Sequence, residues 1–222
     1  MKILFLMAGR ASRFKEAGYK VPKALIMVRE KYMIQWAVES FSFLKNPRLI
    51  FICLREHEAS FGISDKLKNM YGDKIEVLFT DGVTQGAAAT ALLARDLIDN
   101  EEELIISNAD QYFVSKSFEK ELKLPKKSYT GMIPLFEATH PRWSFAKVNE
   151  KGFITEVAEK VPISNHATVG AYYFRKGCDF VWAGEEMIRK DIRRNNEFYV
   201  CPVFNELIGR GEKIKGVFAD KM

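Results

Sequence analysis

The sequence predicts an α/β domain with a largely parallel sheet, and three observations carry that expectation. Strand-like and helix-like runs alternate through the first half. The first of them, Lys2–Met7 (KILFLM), is apolar at almost every position, as suits a strand covered on both faces. A chain of 222 residues that is 47% hydrophobic can bury one substantial core, and no linker, repeat or low-complexity tract divides it.

The elements follow in order. Lys2–Met7 belongs at the centre of the sheet and runs into a turn of small residues with two arginines. Residues 32–44 place Met33, Trp36, Ala37, Ser40, Phe41 and Leu44 at spacings of three and four, which predicts an amphipathic helix. Arg48–Leu54 reads as the second strand, 64–72 as a helix closed by Gly72, and 74–80 as the third strand. Gly86 opens an alanine-rich helix ending near Asp96, whose tiny side chains let backbone approach a ligand. Residues 104–107 form a fourth buried strand, with Asn108 and Asp110 just past its carboxyl end, the edge where open α/β sheets bind ligands. The second half is strand-rich at 129–138, 144–159 and 167–176, with a turn at 149–152. Mixed or antiparallel strands are expected there, followed by helices at 178–192 and 202–208 and a last strand at 213–218.

Composition narrows the function. A net charge of +5 comes from 34 basic residues interspersed with 29 acidic ones, which suits small anions better than nucleic acid. Cys53, Cys178 and Cys201 are widely spaced and unpaired in pattern, so neither a disulfide framework nor a zinc site is expected, and a reducing compartment is. No apolar run approaches the roughly 20 residues of a bilayer span, and the N-terminus does not read as a signal peptide, so a cytoplasmic location is expected. His57, His140 and His166 lack metal-ligand spacing and read as structural or surface residues.

A turn leaving a buried strand can hold phosphate when small residues let its N–H groups face the anion and cations stand nearby. Ala8, Gly9, Ala11 and Ser12 supply the first condition and Arg10 and Arg13 the second, although a plain strand-to-helix connection has the same composition. Lys20, Pro22 and Lys23 add a proline-stiffened cationic point. Asp110 is the carboxylate best placed for a divalent cation, because Mg²⁺ takes one or two carboxylates together with phosphate oxygens. Phosphate turn, lysine and carboxylate at one sheet edge describe a nucleoside-triphosphate site.

These residues belong to an ordered series. Met7-Ala8-Gly9 with Ser12-Arg13, then Pro22-Lys23-Ala24-Leu25, Gln85-Gly86-Ala87-Ala88, Asn108-Ala109-Asp110, Glu159-Lys160-Val161-Pro162 and ATVGAYYF at 167–174 follow one another. They resemble, in order and with departures, the motifs L-A-A-G-x-G-[ST]-R, P-K-x-L, G-[TA]-A, N-x-D, E-K-P and N-x-G-x-Y-x-F. Over nearly its whole length the chain resembles the sugar-phosphate nucleotidylyltransferases. It is most similar to small members serving capsule and surface-polysaccharide synthesis, some of which use sugar phosphates and others non-sugar phosphates such as phosphocholine or phosphoglutamine with CTP.

The resemblance implies a single-domain Rossmann-like (GT-A-like) three-layer sandwich with a mixed, mostly parallel central sheet. Residues 1–222 would form one domain, with a nucleotide-binding half at 1–125 and an acceptor-binding half at 126–222. It implies a Mg²⁺-dependent cytoplasmic enzyme, monomeric or homodimeric, that moves NMP from an NTP to a phosphorylated acceptor and releases pyrophosphate. By that resemblance Arg13 binds the β- and γ-phosphates, Lys23 the α-phosphate, Asp110 the Mg²⁺ and Lys160 the acceptor's phosphate. Met7, Ala8, Gly9, Arg10, Ala11, Ser12, Gln85, Gly86 and Ala87 would face the nucleotide, and Glu159, Gly170 and Tyr172 the acceptor, with Trp143 a further pocket candidate; Trp143 and Tyr172 serve equally well as core aromatics.

Relatives that use UTP or TTP read the base with a Gln five residues before the position of Gly86, where this chain has Asp81. A carboxylate only accepts hydrogen bonds, so CTP or GTP is expected; Asp81 also suits a simple turn before Gly82. Ala11 stands where the family has its second glycine, which adds a methyl group beside the triphosphate. The family's second metal carboxylate lies in a D-x-G-T-like segment; the sequence reaches Met222 without it, and Asp220 is the nearest candidate. Two rival readings remain: a catalytically weakened nucleotide-binding regulator, and a GT-A glycosyltransferase, which commonly uses D-x-D where this chain has Asn108-Ala109-Asp110.

Overall fold

The computed structural model describes residues 1–11, 14 and 16–222. The first half comprises β1 (Lys2–Met7), a 3-10 turn (Lys23–Leu25), the small hairpin β2 (Met27–Val28) and β3 (Lys31–Tyr32), α1 (Met33–Glu39), β4 (Arg48–Leu54), α2 (Arg55–Phe61), α3 (Ile63–Tyr71), β5 (Glu76–Thr80), α4 (Ala87–Leu92), α5 (Arg95–Ile98), β6 (Leu104–Asn108) and α6 (Lys116–Leu122). The second half comprises β7 (Gly131–Glu137), β8 (Ser144–Val148), β9 (Phe153–Glu159), β10 (His166–Thr168), β11 (Ala171–Phe174), α7 (Gly177–Arg189), α8 (Val203–Gly209) and β12 (Ile214–Phe218).

Among the described residues one ten-stranded sheet runs in the order β10-β8-β9-β12-β7-β11-β6-β1-β4-β5. Pairing is parallel across β6-β1-β4-β5 and between β7 and β12, and antiparallel elsewhere. The sheet is mixed, as expected, but its parallel character is confined mainly to the first half. In the second half short connections such as the 149–152 turn leave no room for crossovers. β1 is an interior strand between β6 and β4, but it lies third from one edge rather than at the centre expected, because seven strands stand on its other side; its alternate residues feed two cores. Ile3 and Phe5 pack with Ile34, Ala37, Ile63 and Leu67 on one face, and Leu4 packs with Ala88, Ala91, Phe180 and Phe204 on the other. Helices therefore cover both faces, which completes the three-layer sandwich and explains why β1 is apolar from Ile3 to Met7. No helix among the described residues is long and apolar enough to cross a membrane.

Three expected elements differ in extent. The helix expected at 32–44 ends at Glu39, and tighter turns (Ser42 N–H to Glu39 O, 3.1 Å; Leu44 N–H to Phe41 O, 2.9 Å) carry the apolar spacing onward. The alanine-rich helix breaks at Leu93-Ala94 into α4 and α5. The strand expected over 167–176 is interrupted at Gly170, whose φ of 78° turns the chain between β10 and β11.

Parallel β1 and β6 lie side by side, so the turn after Met7 and the Asn108-Ala109-Asp110 segment emerge together at one sheet edge. That edge is a switch point: the chain leaves β1 toward β4 on one side and later returns as β6 on the other.

Candidate active site

Three clefts meet at Asp110. The first, about 220 Å³, is lined by Met7, Gly9 and Ala11 from the turn, by Lys23, and by Ala109 and Asp110. The second, about 290 Å³, carries Asn108, Asp110, Trp143, Glu159, Gly170, Tyr172 and Tyr199. The third, about 470 Å³, holds Arg29, Trp36, Tyr112 and Lys221 beside the same aspartate.

Local structure explains how the first cleft is made. β1 ends at Met7, and Ala8 is anchored in the core. Gly9 leaves open space where a Cβ would stand. Ala11 adopts φ 50°, the left-handed conformation that glycine takes readily and alanine does not. Pro22 is extended (φ −54°, ψ 142°) and starts the 3-10 turn that delivers Lys23. The Lys23 ammonium pairs directly with the Asp110 carboxylate and lies 5.3 Å from the Phe14 ring centroid. Both partners keep part of their surface in water, with 35% and 27% side-chain exposure.

The other expected nucleotide contacts are distributed unevenly. Ser12 and Arg13 lie outside the described residues. Arg10 is exposed, 3.7 Å from Glu56, and does not line the first cleft. Asp81, at the end of edge strand β5, is 85% exposed and forms a 2.5 Å ion pair with Arg55. The Gln85 side-chain oxygen accepts from Arg193 at 2.9 Å. Gly86 adopts φ 124° with backbone pressed on Phe198, since a Cβ there would lie 2.5 Å from the Phe198 nitrogen. Ala87 lines the second cleft rather than the first.

The second cleft gathers the expected acceptor residues. Glu159 is buried (8% exposed), accepts from the Ser144 hydroxyl, and has its carboxyl pushed above the usual range by burial, against the opposing pull of that hydroxyl and of Lys160. Tyr172 donates to or accepts from Thr168 at 3.1 Å, and burial holds its phenol, like the Cys201 thiol beside it, well above the ordinary value. Gly170 is needed for space as well as for φ: a Cβ would fall 1.7 Å from the Gln111 side-chain oxygen, which also accepts from Asn108 at 2.8 Å. Lys160 reaches the margin of this cleft through Tyr199. Trp143 lines it, with the Arg142 guanidinium 4.8 Å from its ring centroid.

Asp220 lines none of the three clefts; its carboxylate accepts the Lys116 N–H at 2.7 Å. Sequence reasoning missed Gln111, Arg142, Ser144 and Tyr199 in the second cleft and Arg29 and Trp36 in the third. Gln111 simply follows Asp110 in the chain, whereas Arg142 with Ser144, Tyr199, Arg29 and Trp36 come from distant segments that only the tertiary fold brings to Asp110.

A family model described as "MobA-like NTP transferase domain" matches residues 3–130. Among solved structures, a nucleoside-diphosphate-sugar pyrophosphorylase from Vibrio cholerae RC9 superposes with a TM-score of 0.82 at 25% identity, covering 97% of this chain and 91% of that one. An inositol-1-phosphate CTP transferase from T. maritima gives 0.78 at 14% identity, with 98% and 84% coverage. A putative glucose-1-phosphate thymidylyltransferase from Bacillus anthracis gives 0.78 at 19%, with 100% and 88% coverage. The last two support the fold alone. Comparison with curated proteins returns no match.

Proposed function

Because the chain belongs to the MobA-like NTP transferase family, we propose that it transfers a nucleoside monophosphate from an NTP to a phosphorylated small molecule and releases pyrophosphate. The observation that carries this reading is the Lys23–Asp110 pair, which stands where the glycine-turn cleft meets the cleft of Glu159 and Tyr172. Nucleotide in the first cleft and acceptor in the second bring the α-phosphorus and the attacking phosphate to that pair. An ionised phosphate needs no general base, so the residues act by placement and by charge. Lys23 exchanges Asp110 for the α-phosphate, Arg13 holds the outer phosphates, and Lys160 meets the acceptor's phosphate.

Asp110 fits a Mg²⁺ carried in on phosphate oxygens, because it is one partly exposed carboxylate at the junction of the clefts. A cage built by protein alone does not fit: no group of three or more His, Cys, Asp or Glu gathers among the described residues. The ion would neutralise charge between phosphate oxygens. Asp220 could join it only by releasing the Lys116 amide.

The base assignment to CTP or GTP rests on the chemistry of Asp81 alone, a carboxylate that only accepts hydrogen bonds; here it pairs with Arg55 and lines none of the three clefts. The amides and hydroxyls of Asn108, Gln111, Ser144 and Thr168 suit a polyol phosphate such as a hexose 1-phosphate or inositol 1-phosphate; phosphocholine and phosphoglutamine are the non-sugar candidates, and capsule or surface-polysaccharide precursor synthesis is the matching role. A pyrophosphate-release screen tests the reading by pairing CTP, GTP, UTP and dTTP with these acceptors. Release with CTP or GTP is expected. Fastest release with UTP or dTTP removes the base assignment, and no release from any pair removes the reaction.

A further inference from the structure

We infer that Tyr199 is a positioning residue that fixes the Lys160 ammonium at the acceptor cleft, an inference resting on the reading that Lys160 meets the acceptor's phosphate. Lys160 follows the last residue of β9 and adopts φ 54°, and its N–H is tied to the Trp143 carbonyl at 3.0 Å. Its ammonium donates to the Tyr199 hydroxyl and lies 4.3 Å from the centroid of the same ring. The Tyr199 hydroxyl in turn donates to the Glu197 carboxylate. Because its one proton is committed to Glu197, that oxygen presents lone pairs to Lys160. A lysine stem has four rotatable carbons, and one tyrosine here supplies both a ring face and an acceptor to hold it.

Tyr199 is itself placed from the other side of the site. The neighbouring Phe198 donates its N–H to Gln85 O at 2.8 Å and accepts from Ala88 N–H at 2.9 Å, while Gly86 presses on the same backbone. Arg193 adds a guanidinium 4.0 Å from the Phe198 ring centroid and a 2.9 Å bond to the Gln85 side chain. Segment 197–201 is therefore clamped to the turn that opens α4, and Tyr199 carries that clamped position across to Lys160.

Inorganic phosphate, the fragment common to every acceptor, is the probe. Acetic anhydride labels lysines in the intact protein, and peptide mass spectrometry reads protection of Lys160 alone as phosphate is titrated. In Tyr199→Phe the half-protecting phosphate concentration is expected to rise about tenfold, with labelling of the other lysines and the melting temperature unchanged. Protection at the wild-type concentration in Tyr199→Phe overturns the positioning role alone. Tighter protection in the variant overturns it too, because the tyrosine would then be competing for the ammonium rather than aiming it. If phosphate fails to protect Lys160 in the wild-type protein, the acceptor-phosphate reading falls and this inference falls with it.

Discussion

Ala11 is a departure from the family pattern that the sequence makes visible and the structure makes specific. Its φ of 50° keeps the glycine-like conformation, at a cost of about 1 kcal/mol, and Ala11 lines the first cleft, proposed to hold the triphosphate. Ala11→Gly is expected to raise kcat/KM for the NTP a few-fold in steady-state assays, with stability changed by no more than about 1 kcal/mol; an unchanged or lower kcat/KM counts against the methyl as an obstacle. Glu159 gives a second prediction. Burial raises its carboxyl in the folded state, so the folded protein binds that proton more tightly than the unfolded chain does. The resulting stability is present below the ordinary carboxylate range and is lost as pH rises through the raised value. Glu159→Gln keeps an acceptor for Ser144 and removes the loss. It should melt higher than wild type near pH 8, by roughly 2–4 °C for each kcal/mol recovered, and match it near pH ~4. Equal melting at both pH values would show that burial does not control this group. Glu159 was legible from its E-K-P-like setting; the Ser144 hydroxyl that meets it was not, because the two are joined only by the pairing of β8 with β9.

At the scale of elements, Gly86 ties α4 to the segment at 197–201. A Cβ there would meet the Phe198 nitrogen and oxygen at 2.5 Å in a backbone conformation that side chains avoid. Gly86→Ala should cost on the order of 3 kcal/mol in urea unfolding, and a cost below about 0.5 kcal/mol would mean that the clamp yields freely. Gly86 was readable as a close-approach glycine, but its partner lies more than a hundred residues away and left no local signal. Strands flanked by turn residues were readable almost to the residue, as at β1, β4 and β12. Short helices were less so: α6 hides behind the Ser115 cap, whose side chain accepts the Phe118 N–H at 3.2 Å, and its seven residues show too little periodicity to stand out.

Over the whole molecule, the unbroken sheet makes the two halves one cooperative unit, since β11 pairs with β6 of the first half and β7 of the second. Trp36 lies in the first half, and Trp143 and Trp182 in the second. Fluorescence of Trp143→Phe/Trp182→Phe and of Trp36→Phe should therefore report the same denaturation midpoint, after correction for each variant's stability by circular dichroism. Separate midpoints would divide the domain. The fold class, and the meeting of the turn after Met7 with Asn108–Asp110 at one sheet edge, were legible because strand periodicity and glycine turns are local. The convergence of three clefts on Asp110 was not, since it depends on strand order. That convergence has a kinetic corollary. On the proposed reading, nucleotide and acceptor occupy adjoining clefts at the same time, so initial-velocity lines in double-reciprocal plots should intersect at a common point. Parallel lines would instead indicate that one product departs before the second reactant arrives.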